Sequence, residues 1–248
     1  GKSGIKVLFF AGCMGDKVYP NVTEACLKIF RARGVGVRMP SSLACCGIPA
    51  LASGDADSFK KMLSHNLSKL EGEKFDYAVT ACASCTETIE KFWPQYAEGR
   101  QKEQAERIAA KTLDISAFVA DVLGVEPAKA PAERREKVTY HESCHLAKSL
   151  GVRIQPRKLI EANPGCELVE MREPDRCCGC GGSFTLTHYG LSKKIGGRKR
   201  DNIAASGAET VACGCPACMM QISNMLALNG DAVKVEHVAE IYARSLGD

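Results

Sequence analysis

The cysteines of this chain recur in two sets with the same spacing. The chain has 14 cysteines among 248 residues, and ten of them form two ordered sets. The first set is Cys13, Cys45, Cys46, Cys82 and Cys85, and the second is Cys144, Cys177, Cys178, Cys215 and Cys218. In each set, 31 or 32 residues separate the first cysteine from a pair of adjacent cysteines. Another 35 or 36 residues separate that pair from a Cys-x-x-Cys motif. Five cysteines recurring in one order indicate an internal duplication.

Clustered thiolates are soft ligands that select iron–sulfur clusters, zinc or copper(I). A structural zinc ion takes four ligands, and a cubane four-iron cluster also takes four cysteines. Five cysteines per set therefore favour a larger or differently shaped cluster, unless one cysteine of each set is not a ligand. Zinc in one half and buried apolar thiols without a metal are the alternatives.

Four other residues are candidates for contact with a bound cluster. Gly47 and Gly179 follow the adjacent pairs, and the lack of a side chain is expected to let the backbone approach an inorganic core. His141 and His145 flank Cys144 and are candidates to donate hydrogen bonds to cluster sulfur or to hold a proton. Strand-end packing or helix capping is the alternative for both histidines.

The remaining four cysteines and one basic run need separate predictions. Cys180 and Cys213 each lie two residues from a motif cysteine, so they are candidates to ligate or tune the second site. Cys26 and Cys166 are predicted to be ordinary core or loop thiols. The basic run at residues 198–200 is predicted to be a solvated helix face, with a docking surface for an acidic partner as the alternative.

Strands and helices that alternate along the chain must position these residues. Apolar runs predict strands at residues 6–10, 35–39, 75–80, 137–141, 167–171, 209–212 and 233–235. Helical spacing predicts helices at residues 21–33, 56–70, 86–93, 102–123, 156–162, 186–205, 218–228 and a last one ending at 246. The order predicts an α/β fold of two similar half-domains, each a small parallel sheet with flanking helices. The predicted domains are 1–125 and 126–248, with a linker at 124–137.

This fold predicts that each cysteine set converges. Loops at the carboxyl ends of parallel strands gather at one edge of a sheet, and the motif cysteines follow predicted strands. The metal sites are therefore expected at these strand ends. Cys85 and Cys218 are expected in the first turn of the next helix, where the helix dipole should lower the thiol pKa.

Composition excludes several classes of protein. A net charge of +4, from 33 basic and 29 acidic residues, is too balanced to indicate nucleic-acid binding. The longest nearly apolar run, residues 7–14, is shorter than the roughly 18 residues of a membrane span. No secretory signal is recognised at the start, so a cytoplasmic protein with reduced thiols is expected.

Since no nucleotide-binding loop or ferredoxin-type run occurs, flavin, nicotinamide and a ferredoxin relay are expected to come from partners or from a missing part of a longer chain.

Five motifs resemble those of the Cys-Cys-Gly domain family. They are Phe10-Ala11-Gly12-Cys13, Cys45-Cys46-Gly47-Ile48-Pro49, Tyr140-His141-Glu142-Ser143-Cys144-His145, Cys177-Cys178-Gly179-Cys180-Gly181-Gly182-Ser183-Phe184 and Cys215-Pro216-Ala217-Cys218-Met219-Met220. This domain is duplicated in the B subunit of heterodisulfide reductase, in the iron–sulfur subunit of glycolate oxidase and in lactate-utilisation protein A. Residues 122–126, 150–153 and 233–237 look most like the lactate-utilisation branch.

The resemblance implies that each five-cysteine set holds a 4Fe-4S cluster, of noncubane type as in the heterodisulfide reductase subunit. It predicts an iron–sulfur electron-transfer subunit, non-catalytic or co-catalytic, of a complex that oxidises a 2-hydroxyacid, with lactate first and glycolate second. Flavin or ferredoxin-type partner subunits or domains are expected, and any membrane association would run through them. The alternatives are a cluster-based disulfide reductase subunit and a zinc-stabilised scaffold.

Overall fold

The computed structural model describes residues 3–125 and 133–246. These residues contain two four-stranded sheets, one in each half, and every strand pairing is parallel. The strands are β1 (Lys6–Phe10), β2 (Gly36–Arg38), β3 (Tyr77–Thr80), β4 (Thr112–Asp114), β5 (Glu136–His141), β6 (Cys166–Leu168), β7 (Thr210–Cys213) and β8 (Lys234–His237). The strand orders are β2-β1-β3-β4 and β6-β5-β7-β8, so the halves share one topology. The predicted α/β class with two similar halves is confirmed.

Helices flank both sheets. The α-helices are α1 (Gly12–Lys17), α2 (Pro20–Ala32), α3 (Ile48–Ala52), α4 (Ala56–Lys69), α5 (Ala83–Glu87), α6 (Trp93–Tyr96), α7 (Arg100–Ala109), α8 (Ile115–Ala117), α9 (Ile154–Glu161), α10 (Phe184–Thr187), α11 (Tyr189–Ala205), α12 (Pro216–Ala227) and α13 (Val238–Ser245). Three π-helical segments span Thr88–Phe92, Phe118–Gly124 and His145–Ser149. The first of them joins α5 to α6.

Apolar strands and helix faces bury the core. The last four residues of β1 are buried, as expected for a central strand with helices on both faces. Helix α2 buries Val22, Cys26, Ile29 and Phe30 at helical spacing. Cys26 is therefore the predicted core thiol, and Cys166 is also buried.

The helix predicted at residues 102–123 is helical at both ends, but the prediction is wrong for its middle. Helix α7 ends at Ala109, and the chain then forms β4, which pairs with β3. Thr112 and Asp114 are buried in this strand. Pairing with the free edge of β3 overrides the local helical pattern, which carries no information about that edge. The Asp114 carboxylate then accepts the backbone N–H of Ser116 at 2.8 Å and caps α8.

Smaller differences concern element ends. The helix predicted at 186–205 is divided into α10 and α11 at His188. Strand β5 begins at Glu136, inside the predicted linker, while residues 126–132 of that linker lie outside the described residues. The predicted domain boundary at 125/126 falls at the same gap and stays a prediction.

The two halves share one apolar core. Helix α2 packs against α13, and the Arg33 guanidinium donates to the Tyr242 hydroxyl at 3.1 Å. The Asn21 amide donates to the Glu240 carboxylate at 2.6 Å. Across the described residues, no helix is both long and apolar enough to cross a bilayer.

Candidate metal centre

Both cysteine sets lie at the carboxyl ends of the sheet strands. Cys13 is in α1, directly after β1, and Cys144 follows β5. Cys82 is the residue before α5, and Cys215 is the residue before α12. The parallel order of the strands therefore brings cysteines that are distant in sequence to one edge of each sheet.

The first set forms one connected group of thiols. The Sγ atoms of Cys13 and Cys45 are 3.5 Å apart. Cys45 also contacts Cys46, Cys46 contacts Cys85, and Cys85 contacts Cys82. All five side chains predicted for this set thus lie together.

The second set repeats most of this arrangement. Cys177 contacts Cys178, Cys178 contacts Cys218, and Cys218 contacts Cys215. Cys144 lies beside His145 and close enough to Cys177 to act on it electrostatically. The second set is therefore also convergent, with Cys144 at its margin.

The two sets adjoin at the junction of the halves. The thiols of Cys82 and Cys215 are neighbours, since each shifts the pKa of the other. The Ser84 hydroxyl lies 3.7 Å from the Cys215 Sγ, and the backbone N–H of Ala83 donates to the Gly214 carbonyl at 3.2 Å. The spacing of the cysteines alone does not show this contact.

The thiol pKa values differ from the sequence-based expectation. Hydrogen bonds from neighbouring thiols lower the pKa of Cys45, Cys178 and Cys215. The pKa of Cys85 and that of Cys218 are raised, because each donates to neighbouring thiolates and is buried. Both residues do lie in the first turn of a helix. The expected lowering by the helix dipole is thus wrong, since the adjacent thiolates and burial outweigh it.

The two glycines after the cysteine pairs have backbone roles. Both have a positive φ, +99° for Gly47 and +89° for Gly179. Their backbone N–H groups donate to the Sγ atoms of Cys45 and Cys177, at 3.5 and 3.3 Å. A Cβ at Gly179 would lie 2.6 Å from the backbone oxygen of Ser192. These contacts explain why glycine occupies both positions even without a bound cluster. The approach of the two glycines to an inorganic core stays a prediction.

The candidate histidines border the second set. His141 is buried, and one of its ring nitrogens lies within 4.8 Å of the Cys178 and Cys218 thiols. His145 contacts the Cys144 thiol and forms an ion pair with Glu87. The hydrogen bond to Cys144 raises the pKa of His145 to about 9. The group of His141, Cys178 and Cys218 also suits a zinc ion, which takes nitrogen and sulfur ligands.

The two additional cysteines also lie near the second set. Cys180 and Cys213 are buried. Each is close enough to Cys178 and Cys215 for those thiolates to raise its pKa, together with the burial that is the larger cause. Their predicted role as extra ligands or tuning groups stays a prediction.

Sequence reasoning missed three side chains that support the cysteine loops. The Trp93 indole donates to the Cys46 carbonyl at 3.0 Å. The Asn66 amide donates to the Cys45 carbonyl at 3.0 Å. Lys199 is fully buried, so the solvated face predicted for residues 198–200 is wrong for its central residue. The available signal was the helical spacing of Ser192, Gly196 and Lys199 on the buried face of α11.

A cavity reaches the first cysteine set. Its volume is about 480 Å³, and both Cys13 and Cys45 line it. Asp16, Lys17 and Ser42 contribute polar groups to its wall. The first set is therefore open to a small molecule on this side.

The sulfur donors fit an iron–sulfur cluster. All 14 cysteines lie within the described residues and none is in a disulfide, so every motif sulfur is available as a ligand. Each set offers more sulfur atoms than a tetrahedral zinc site uses. Cys45, Cys178 and Cys215, whose pKa values are lowered, favour the thiolate form that iron requires.

The chain matches known sequences over nearly its whole length. Residues 7–90 and 138–223 each match the cysteine-rich domain CCG. The chain is 33% identical to the B subunit of fumarate reductase (CoM/CoB) from Methanothermobacter marburgensis, over 99% of this chain and 47% of that protein, so it spans about half of that relative. It is 33% identical to lactate utilization protein A of Exiguobacterium sp., over 95% of this chain and 96% of that protein. For lactate utilization protein A of Bacillus subtilis the identity is 31%, over 96% and 98%.

Solved structures resemble the chain only weakly. An aspartate racemase homologue from Pyrococcus horikoshii OT3 aligns with a TM-score of 0.37 and 13% sequence identity, over 98% of this chain and 96% of that one.

Proposed function

Because this chain belongs to the cysteine-rich CCG domain family, with one copy of the domain in each half, we propose that it is the iron–sulfur subunit of an oxidoreductase system. Its role is to transfer electrons during oxidation of a 2-hydroxyacid, with lactate as the first candidate and glycolate as the second. Relatives named lactate utilization protein A, matched along nearly their whole length, support this choice of substrate.

The observation that carries the proposal is the convergence of two five-thiol sets that adjoin through Cys82 and Cys215. Each set would hold a four-iron cluster, and the clusters would supply one-electron carriers. The protein's part is to hold the thiolates and bury them. The backbone N–H groups of Gly47 and Gly179, which point at Cys45 and Cys177, stabilise negative charge on sulfur.

Anaerobic reconstitution tests cluster binding. The full chain should bind about eight iron atoms, four in each of two clusters. Replacing Cys45 and Cys46 with serine should remove about half of the iron, and replacing Cys177 and Cys178 should remove the other half. Cys166→Ser, at a buried cysteine outside both sets, is the control and should keep the full amount. An iron-free chain with stoichiometric zinc would contradict the proposal and favour the zinc-stabilised scaffold.

A second experiment tests the substrate. The tagged chain is isolated anaerobically from its native cells with its bound partners, which we propose include flavin or ferredoxin-type subunits. Lactate should then bleach the visible absorption of the clusters. Bleaching by glycolate alone would select the second candidate, and bleaching by neither would contradict hydroxyacid oxidation.

The cavity beside Cys13 and Cys45 favours one second candidate, a subunit that cleaves a disulfide at its cluster. In that reaction two electrons from the clusters and two protons convert the disulfide into two thiols. The reduced chain should then release thiol from a small disulfide such as cystine. Cys13→Ser should abolish this release, and its persistence would contradict the candidate.

A further inference from the structure

In each half, the long helix that comes after the Cys-Cys-Gly motif and a short helix carries a fully buried polar side chain that bonds the backbone preceding the motif. The residue is Asn66 in α4 and Lys199 in α11, and both have no exposed surface. Helix α11 also buries Ser192, whose hydroxyl donates to the Gly179 carbonyl at 2.7 Å. The two positions are equivalent, because the buried faces have the same spacing: Phe59, Leu63, Asn66 and Leu70 in the first half, and Ser192, Gly196, Lys199 and Ile203 in the second. The first residue of each face also lies against the glycine of its loop.

Asn66 holds the first loop with a neutral group. Its amide oxygen accepts the backbone N–H of Ala44 at 2.7 Å, and its amide nitrogen donates to the Cys45 carbonyl at 3.0 Å. These two bonds fix the backbone immediately before the pair Cys45-Cys46.

Lys199 holds the second loop with a cation. Its Nζ donates to the carbonyls of Glu173 and Pro174, at 2.8 and 3.1 Å, and lies 3.7 Å from the Met171 Sδ. All three acceptors are neutral, and no carboxylate of the described residues forms an ion pair with this lysine. Burial lowers the pKa of Lys199 to about 8, so the ammonium keeps its proton at neutral pH.

Both loops contain strained backbone that needs such support. Ser42 and Glu173 are the non-glycine residues with positive φ in the described part of the chain, at 65° and 52°. A non-glycine residue in this region is strained, and it persists only where the surroundings hold it. The Lys199 ammonium holds the Glu173 carbonyl directly.

Holding the loop does not by itself require a charge. The neutral Asn66 performs the equivalent role, whereas burying an ammonium is energetically unfavourable. The Lys199 ammonium lies near the second set, because the thiols of Cys178, Cys213 and Cys218 act on it electrostatically, as does the Asp175 carboxylate. A thiolate-ligated cluster becomes more negative on reduction, so a nearby buried cation favours the reduced form.

We propose that Lys199 is a positioning residue for the loop before Cys177-Cys178, and that its buried charge raises the reduction potential of the cluster bound by the second set. This inference rests on the proposed binding of clusters. Asn66 gives the first loop mechanical support without that electrostatic effect.

A redox titration followed by electron paramagnetic resonance tests the proposal on the reconstituted full chain. The serine variants at Cys45-Cys46 and at Cys177-Cys178 assign the signals to the two sets. Lys199→Gln keeps an amide that can donate to the loop carbonyls but removes the charge. It should shift the potential of the second cluster downward and leave the first unchanged. Lys194→Gln makes the same substitution at an exposed position of the same helix and should shift neither potential.

Each result decides a separate question. A chain that binds no iron contradicts the proposed function, not only the role of Lys199. Two bound clusters with unshifted potentials in Lys199→Gln, or an equal shift in Lys194→Gln, would overturn the inference. If Lys199→Gln loses the second cluster, Lys199→Arg decides the question, because arginine keeps the charge. That variant should retain the cluster near the parent potential, and a clearly lower potential would contradict the proposal.

Discussion

The thiols of Cys82 and Cys215 are neighbours across the junction of the two halves, and each shifts the pKa of the other. Each residue directly precedes the helix that follows the third strand of its half, so the contact joins equivalent positions of the duplicated fold. The helices α5 and α12 therefore begin side by side. Electrons held at one set would have a short path to the other.

The shared contact predicts that Cys82→Ser affects both sets. This variant should reduce iron binding at the first set and also alter the paramagnetic signal of the second, because Cys215 loses its thiol neighbour. Cys13→Ser removes a cysteine at the opposite margin of the first set and should leave the second signal unchanged. Iron analysis with spectroscopy of the reduced protein measures both effects. An unaltered second signal in Cys82→Ser would show that the sets are independent.

Gly179→Ala should strongly destabilise the protein. The new Cβ would lie 2.6 Å from the Ser192 backbone oxygen, and φ is +89°. Overpacking and backbone strain together predict a loss of about 3 kcal/mol in the free energy of unfolding. Gly207→Ala is the control, with φ at +68° but open space around it. It should lose about 1 kcal/mol, from strain alone. Urea unfolding measures both, and equal losses would contradict the packing argument.

Trp93 should report occupancy of the first set. It is the single tryptophan of the chain, and its indole donates to the Cys46 carbonyl at 3.0 Å. A cluster bound by Cys46 would quench its fluorescence by energy and electron transfer. Loading iron into the parent chain should therefore lower the emission strongly. In the Cys45→Ser, Cys46→Ser variant, which loads only the second set, the emission should change much less.

Asp114 and His237 should give opposite pH dependences of stability. They end the fourth strand of each sheet and cap the next helix. Burial lowers the pKa of His237 from 6.5 to about 4, so the folded state holds fewer protons and stability falls as pH drops through this window. Burial raises the pKa of Asp114 from 3.8 to about 6, so the folded state holds more protons and stability rises as pH drops.

Single substitutions separate these two contributions. The free energy of unfolding should fall further between pH 6 and pH 4 in Asp114→Asn than in the parent chain, by on the order of 2 kcal/mol. In His237→Asn this fall in the free energy of unfolding should be smaller than in the parent chain. Urea unfolding of the metal-free protein at several pH values measures the slopes. The same slope in the parent and both variants would show that neither group carries the effect.

Much of the fold followed from local pattern. The buried strand at residues 6–10 and the apolar face of α2 have the periodicity of their elements, and both formed as predicted. Strand β4 did not, because its three residues become a strand only by pairing with β3. Lys199 was misplaced for a similar reason. A charged residue between two arginines resembles a solvated face until the loop carbonyls that receive its ammonium are known.

The sequence by itself determined the duplication, the two sets of five cysteines and the parallel α/β halves that carry them. Spacing along a chain records a repeat, and strand and helix periods record which faces are buried. Only the tertiary structure decided that Cys82 meets Cys215, that the first set opens to a cavity while a buried lysine lies behind the second, and which thiols have lowered pKa values. These properties depend on distances between residues of different elements and on burial, which no local pattern encodes.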